Sequence, residues 1–150
     1  MWQFFEFEAD FVEELRCIPM QVRYKLDTCG IKLKLQHWHS FSTHQRQKLI
    51  DLPCSTIAEI KDYRDNLRSQ VWQNLHTYPN DLPIDQNPAW LQTDLMPDTV
   101  LQHLKELNLG ISISQWQKLT PLQRFALIKL STSDHENSNF LPALQEFELT

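Results

Sequence analysis

Apolar residues fall into two rhythms along this chain. Val22, Leu26 and Cys29 lie at i, i+4 and i+7, which is one face of a helix, and Val100, Leu104 and Leu107 repeat that spacing. Pro19 and Pro97 stand just before or at the first turn of these helices, where a missing N–H costs little. Next, Ile31, Leu33 and Leu35 alternate with polar residues, as do Leu109, Ile111 and Ile113. That is strand periodicity in pieces too short to stand alone. Ser42-x-x-Gln45 and Thr120-Pro121-x-Gln123 then have the form of capping boxes, each opening a helix of about ten residues. In a capping box the hydroxyl and the amide side chain satisfy N–H groups that the first helical turn leaves open.

These pieces belong to one internal repeat. An ungapped offset of 78 residues brings 19–52 onto 97–130, with nine of 34 positions identical. They include Pro19/Pro97, Leu26/Leu104, Trp38/Trp116, Gln45/Gln123, Arg46/Arg124 and Leu52/Leu130. Two copies at this spacing point to a duplicated unit; a solenoid needs at least three. Trp38 and Trp116 are expected to anchor the core of each copy, and Arg46 and Arg124 to face solvent or an acidic neighbour.

Outside the repeat, Phe7, Phe11 and Leu15 predict a helix over 8–17. Residues 56–78 predict the longest helix, capped by Ser55 or Thr56, with the stripe Ile57, Ile60, Leu67, Val71 and Leu75. Asp62, Tyr63, Arg64 and Asp65 dilute that stripe. Pro79, Pro83, Pro88 and Pro97 mark an irregular connection, which Trp90 and Leu91 are expected to pin to the body. Residues 131–139 read as a polar loop, and Phe140 to Leu149 as a short terminal helix. Gly30 and Gly110 lie near the ends of the first helices of the two copies, where a cap would sit. The expected fold is mainly α: a single-domain helical bundle of about six helices on the duplicated helix–extended–helix unit, 19–52 and 97–130. A very small β pairing between the two extended pieces completes it.

Composition narrows the function. At 150 residues, 41% hydrophobic and 22% charged, the chain has material for a core and is not of disordered type. No apolar run is long enough for a membrane helix, and Met1-Trp2-Gln3-Phe4-Phe5-Glu6 does not read as a secretory signal. Three widely spaced cysteines, Cys17, Cys29 and Cys54, suit a reducing cytoplasm better than a disulfide framework. A net charge of −5 argues against a nucleic-acid binder. The charge is uneven: the ends are acidic, and 16–48 carry seven basic residues against Asp27. The acidic ends are read as folding back on the basic segment; the other reading is a basic docking face.

Motifs for chemistry are sparse. Two isolated glycines make no phosphate-binding loop, and there is no Gly-x-Ser-x-Gly, His-Glu-x-x-His or Cys-x-x-Cys. His37, His39 and His44 are close in sequence, but imidazoles at i and i+2 diverge on a helix and on a strand alike, so surface histidines are the favoured reading. Cys17 and Cys54, near prolines, are open to an exposed, reactive reading, although burial is the commoner fate of a free cysteine. Cys29 matches Leu107 and belongs to the core. His135, Glu136, Asn137 and Asn139 form the densest polar cluster, either an acid–base pair or, in the favoured reading, a solvated loop capping the next helix.

Two stretches carry a family resemblance. Residues 4–36 begin Phe-Phe-Glu-Phe-Glu-Ala-Asp-Phe-Val-Glu-Glu-Leu-Arg-Cys-Ile-Pro-Met, and the later stretch joins Gln123-Arg124-Phe125-Ala126-Leu127-Ile128-Lys129-Leu130 to His135-Glu136-Asn137-Ser138-Asn139-Phe140-Leu141-Pro142-Ala143-Leu144. Both resemble the small nitrate-reductase-associated protein family of cyanobacteria, over nearly the whole chain. The resemblance implies a cytoplasmic accessory role in producing active assimilatory nitrate reductase, an enzyme holding a molybdenum cofactor and an iron–sulfur cluster. It implies no catalytic residue and no cofactor of the chain's own. The implied partner is the reductase apoprotein or a molybdenum-cofactor delivery protein. Two alternatives are a thiol- or metal-dependent carrier and a regulatory subunit that stays on the mature enzyme. Arg16, Cys17, Met20 and Arg23, with His135, Glu136, Asn137 and Asn139, are the candidate partner-binding residues. Met20 is expected to be exposed beside a basic face, since Arg and Met are enriched at interfaces.

Overall fold

The computed structural model describes residues 4–9, 17–132 and 137–150, with the backbone alone at Asn137. The predicted helix over 8–17 therefore lies mostly outside the described residues. The chain forms two compact units, residues 1–4 with 8–84 and residues 5–7 with 85–150. Each unit holds one copy of the repeat.

The first unit contains α1 (Met20–Cys29), β1 (Ile31–Lys32), α2 (Leu35–Ser40), α3 (Thr43–Asp51), α4 (Ile57–Leu75) and β2 (Asn80–Asp81). The second contains α5 (Asp98–Glu106), α6 (Ile113–Lys118), α7 (Pro121–Thr132) and α8 (Phe140–Glu146). Short 3-10 turns lie at Glu6–Glu8, Ala89–Leu91 and Asn137–Asn139. The fold is mainly helical, with eight α-helices among the described residues.

At the offset of 78, α2 and α6 coincide end for end, and α3 and α7 begin at matching residues. Both capping boxes are present. Ser42 Oγ accepts the Gln45 N–H at 3.1 Å and Gln45 Oε1 accepts the Ser42 N–H at 2.9 Å. Thr120 and Gln123 repeat the pair at 3.1 and 2.9 Å. Trp38 and Trp116 are both fully buried.

The structure corrects the alternating segments. The two extended pieces do not pair with each other; β1 pairs antiparallel with β2, Ile31 opposite Asp81 and Lys32 opposite Asn80. Leu35 and Ile113 open the helices α2 and α6 instead of extending strands. A six-residue helix shows less than two turns, so its period is easily mistaken for alternation. Gly30 caps α1 in the left-handed region (φ 77°), but Gly110 is no cap: Asn108, with φ 58°, takes that place after α5.

In α4 the buried stripe is Tyr63, Leu67 and Val71, while Ile57 and Leu75 are exposed. Thr56, not Ser55, supplies the cap hydroxyl, accepting the Glu59 N–H at 3.1 Å. The first unit's core joins these three to Val22, Leu26, Cys29, Ile31, Trp38, Phe41, Leu49, Ile50 and Cys54. In the connection, Trp90 sets its ring on Phe125, with centroids 5.1 Å apart, but Leu91 is exposed.

Candidate functional site

The chemistry-bearing side chains of the first unit are turned inward. Lys25 is fully buried. Its Nζ donates to the Ile50 and Leu52 carbonyls at 2.7 and 2.6 Å, with the Leu49 carbonyl at 3.5 Å. It also lies 5.4 Å from the centre of the Tyr63 ring. Burial pulls the Lys25 ammonium down to about 8, against the pull of Cys54 and Asp51. The same burial pushes the Cys54 thiol up to about 11 and the Cys29 thiol up to about 12. A thiol held so high carries almost no thiolate near neutrality, so neither is a ready nucleophile or metal ligand. Cys54 is therefore not the exposed, reactive cysteine of the alternative reading.

His37 is also withdrawn. Its Nδ1 accepts the Lys34 N–H at 3.1 Å, closing the start of α2, and burial followed by the Lys34 charge holds the imidazole below its usual value. No group of three His, Cys, Asp or Glu among the described residues is arranged to hold a metal ion.

The two repeat arginines turn back onto the backbone. Arg46 is half-buried and donates to the carbonyls of Trp38 and His39 at 3.1 and 3.2 Å. Arg124 is buried and donates to the carbonyls of Trp90, Leu119 and Trp116 at 2.7, 2.6 and 3.3 Å. In each copy the arginine eight residues after the tryptophan ties down the carbonyl at the end of the short middle helix. The acidic ends also serve the backbone: Glu8 accepts the Met20 N–H and Glu146 accepts the Phe7 N–H, each at 3.1 Å.

The proposed partner-binding residues fare unevenly. Met20 is buried, contrary to expectation, because it opens α1 facing the core. Cys17 and Arg23 are half-buried. Asn139 is half-buried at the start of α8 with a helical backbone, and its side chain makes no capping bond there. Arg16, His135 and Glu136 lie outside the described residues, as does the Asn137 side chain.

Sequence reasoning missed the most conspicuous exposed cluster, at the end of α4. Trp72 and Tyr78 stack at 5.0 Å with 44% and 50% of their surface exposed. Arg68 covers the Tyr78 ring at 4.6 Å, and His76 meets Trp72 edge-on at 5.8 Å. Arg64 and Arg68 converge on Asp81, at 2.6 and 3.7 Å. The i, i+4 spacing of Arg64, Arg68, Trp72 and His76 was the available signal. Trp, Tyr and Arg are the residue types that dominate binding hot spots.

The arrangement is that of a small helical protein in which Lys25, Arg46, Arg124 and Glu8 bond the backbone and Trp72 and Tyr78 stand exposed. The chain belongs to the conserved nitrate reductase-associated protein family, whose model matches residues 4–147. No curated protein and no solved structure matches the chain. Among the described residues, no helix is long and apolar enough to cross a membrane.

Proposed function

We propose that this protein is a non-catalytic accessory factor for assimilatory nitrate reductase, acting in the cytoplasm. It binds the reductase apoprotein or a molybdenum-cofactor delivery protein during maturation. The observation that carries this reading is the family match over 4–147. The inward placement of Lys25, Cys29, Cys54 and His37 supports a binding role over a carrier role, because a carrier must expose its donor groups. The exposed Trp72–Tyr78 stack supports it further.

The test is deletion of the gene in a strain grown on nitrate. The reductase polypeptide should accumulate at its normal level with little activity, and the wild-type chain should restore it. Full activity in the deletion strain would sink the reading. Capture of mature holoenzyme instead of apoprotein would make the chain a regulatory subunit.

A further inference from the structure

Arg64 and Arg68 lie one turn apart on α4 and are used differently. Arg64 Nη1 donates to the Cys29 and Gly30 carbonyls at 3.0 Å each, and its Nη2 donates to Asp81 Oδ1 at 2.6 Å. Arg68 stands 3.7 Å from the same oxygen, beyond hydrogen-bond distance, and its guanidinium covers the Tyr78 ring at 4.6 Å. Among the described residues it has no hydrogen-bond acceptor in the chain. The same holds for the Trp72 indole N–H and the Tyr78 hydroxyl. Three kinds of donor thus meet on one patch with no acceptor of their own chain.

The local chain holds this patch in place. α4 ends at His76 in the left-handed region (φ 54°), and the His76 N–H donates to the Trp72 carbonyl at 2.8 Å. Pro79 disfavours helical backbone at Tyr78. β2 then pins Asn80 and Asp81 to β1. Tyr78 is therefore fixed from both sides, and its ring lies along that of Trp72 with 17° between the planes. A surface ordered before binding loses little side-chain freedom on binding. Leu75, three residues on from Trp72 and on the same side of the helix, is exposed too. Charge indicates what a partner must bring. Among the described residues Asp81 is the one acid within 4 Å of either guanidinium, and Asp65 pairs with neither. One positive charge is left over. A single further carboxylate balances it and can accept from Arg68 with both oxygens, the fork geometry a guanidinium favours. A dianionic phosphate would leave a negative charge beside Asp81.

We propose that Arg68, Trp72 and Tyr78 dock an acidic segment of a partner polypeptide. An Asp or Glu carboxylate of that segment sits on the Arg68 guanidinium, and a neighbouring apolar side chain lies on the Trp72–Tyr78 stack. The inference rests on the binding role proposed above and names the chemistry of the partner's side of the contact. Asp81 is then a built-in competitor, because its carboxylate draws on the guanidinium that the partner needs.

The test titrates the full chain with a short synthetic peptide of alternating Glu and Leu while backbone amide resonances are followed. The same peptide with Gln in place of Glu, and a single-stranded oligonucleotide, are titrated in parallel. Saturable shifts are expected at residues 68–81, with the Gln peptide about tenfold weaker. Arg68→Gln should weaken the Glu peptide about tenfold as well. Asp81→Asn should strengthen it about threefold, the order of one surface ion pair, whereas a merely structural Asp81 predicts no gain. Tm should stay within a few degrees of wild type in both variants, since both side chains reach solvent. Equal binding of the Gln peptide, shifts centred elsewhere, no gain from Asp81→Asn, or tighter binding of the oligonucleotide would overturn the proposal. The deletion strain keeps the two readings apart. No peptide binding with a poorly active reductase would overturn this inference alone, and saturable peptide binding with a fully active reductase would overturn the accessory role alone.

Discussion

Helices α3 and α7 begin alike and end differently. Each starts on a capping box, and each sends an arginine back to a tryptophan carbonyl. α3 stops at Asp51, before Leu52 and Pro53. Proline lacks an N–H and disfavours helical backbone in the residue before it, so the last carbonyls of α3 are left without helical partners. Lys25 reaches across from α1 to bond them, and the Tyr63 hydroxyl donates to the Leu49 carbonyl at 2.8 Å. In α7, Ser131 stands where Pro53 would be, and the helix runs on to Thr132. Its carbonyls need no such clamp, and His103, in the place of Lys25, packs on Phe140 with ring centroids 4.6 Å apart. The two copies thus differ at this helix end: the first sets the buried Lys25 against it, and the second has His103 at the matching position.

The largest test of the likeness is the tryptophan pair. Trp38→Ala and Trp116→Ala should each cost ~3–5 kcal/mol, a large share of the ~5–15 kcal/mol of a small domain. Denaturant titration of both variants checks this. A cost below about 1 kcal/mol in either would show that the two copies are not anchored alike.

The arginines should separate the copies. Arg124→Met removes the guanidinium from the Trp90, Trp116 and Leu119 carbonyls, of which Trp116 keeps the Leu119 N–H, and should cost about 2–3 kcal/mol, the range for hydrogen bonds to a charged group. Arg46→Met removes bonds that are half open to water, so it should cost about 1 kcal/mol. Equal losses in urea melts would refute the difference in burial.

The glycines should differ in sign. Gly30→Ala puts a Cβ into Ile84 and Leu82 at positive φ and should cost about 1–3 kcal/mol. Gly110→Ala meets nothing and restricts only the unfolded chain, so it should stabilise by ~0.4–1 kcal/mol. Thermal melts of the pair decide it, and a loss at Gly110 would mean that its surroundings do not admit a Cβ.

The sequence showed the repeat clearly because helix caps and the Trp and Arg positions are local signals that survive duplication. The pairing of β1 was not legible: it depends on residues 80–81, remote in sequence and polar on both sides. Tyr63 read as dilution of the α4 stripe because its hydroxyl hides a ring that is wholly buried. Met20 looked like a surface anchor because one apolar residue at a helix start carries no period of its own. Lys25 gave no signal at all. Its burial follows from where Pro53 stops another helix, which is a tertiary consequence.

The Lys25 clamp itself should leave a mark on the pH dependence of stability. Its folded-state value is about 8, below the ordinary 10.5, so between those values the unfolded chain binds the extra proton. Stability from this group therefore rises with pH across that window, by up to about 1.4 kcal/mol per unit. The thiols of Cys29 and Cys54 oppose it: their folded values are raised to about 12 and about 11 from 9, so they lose stability as pH climbs through 9. The wild-type curve alone would mix the two. Lys25→Met keeps both thiols and removes the amine, so the stability difference between wild type and variant isolates the lysine. From pH 8 to pH 9 that difference should move in favour of the wild type by about 1 kcal/mol. Urea titrations of both proteins at the two pH values measure it. A difference that stays flat would mean that the ammonium remains charged on its three carbonyls throughout, held by the end of α3 more strongly than burial opposes it. The second unit would then owe nothing to the loss of a buried cation when histidine takes the place of lysine.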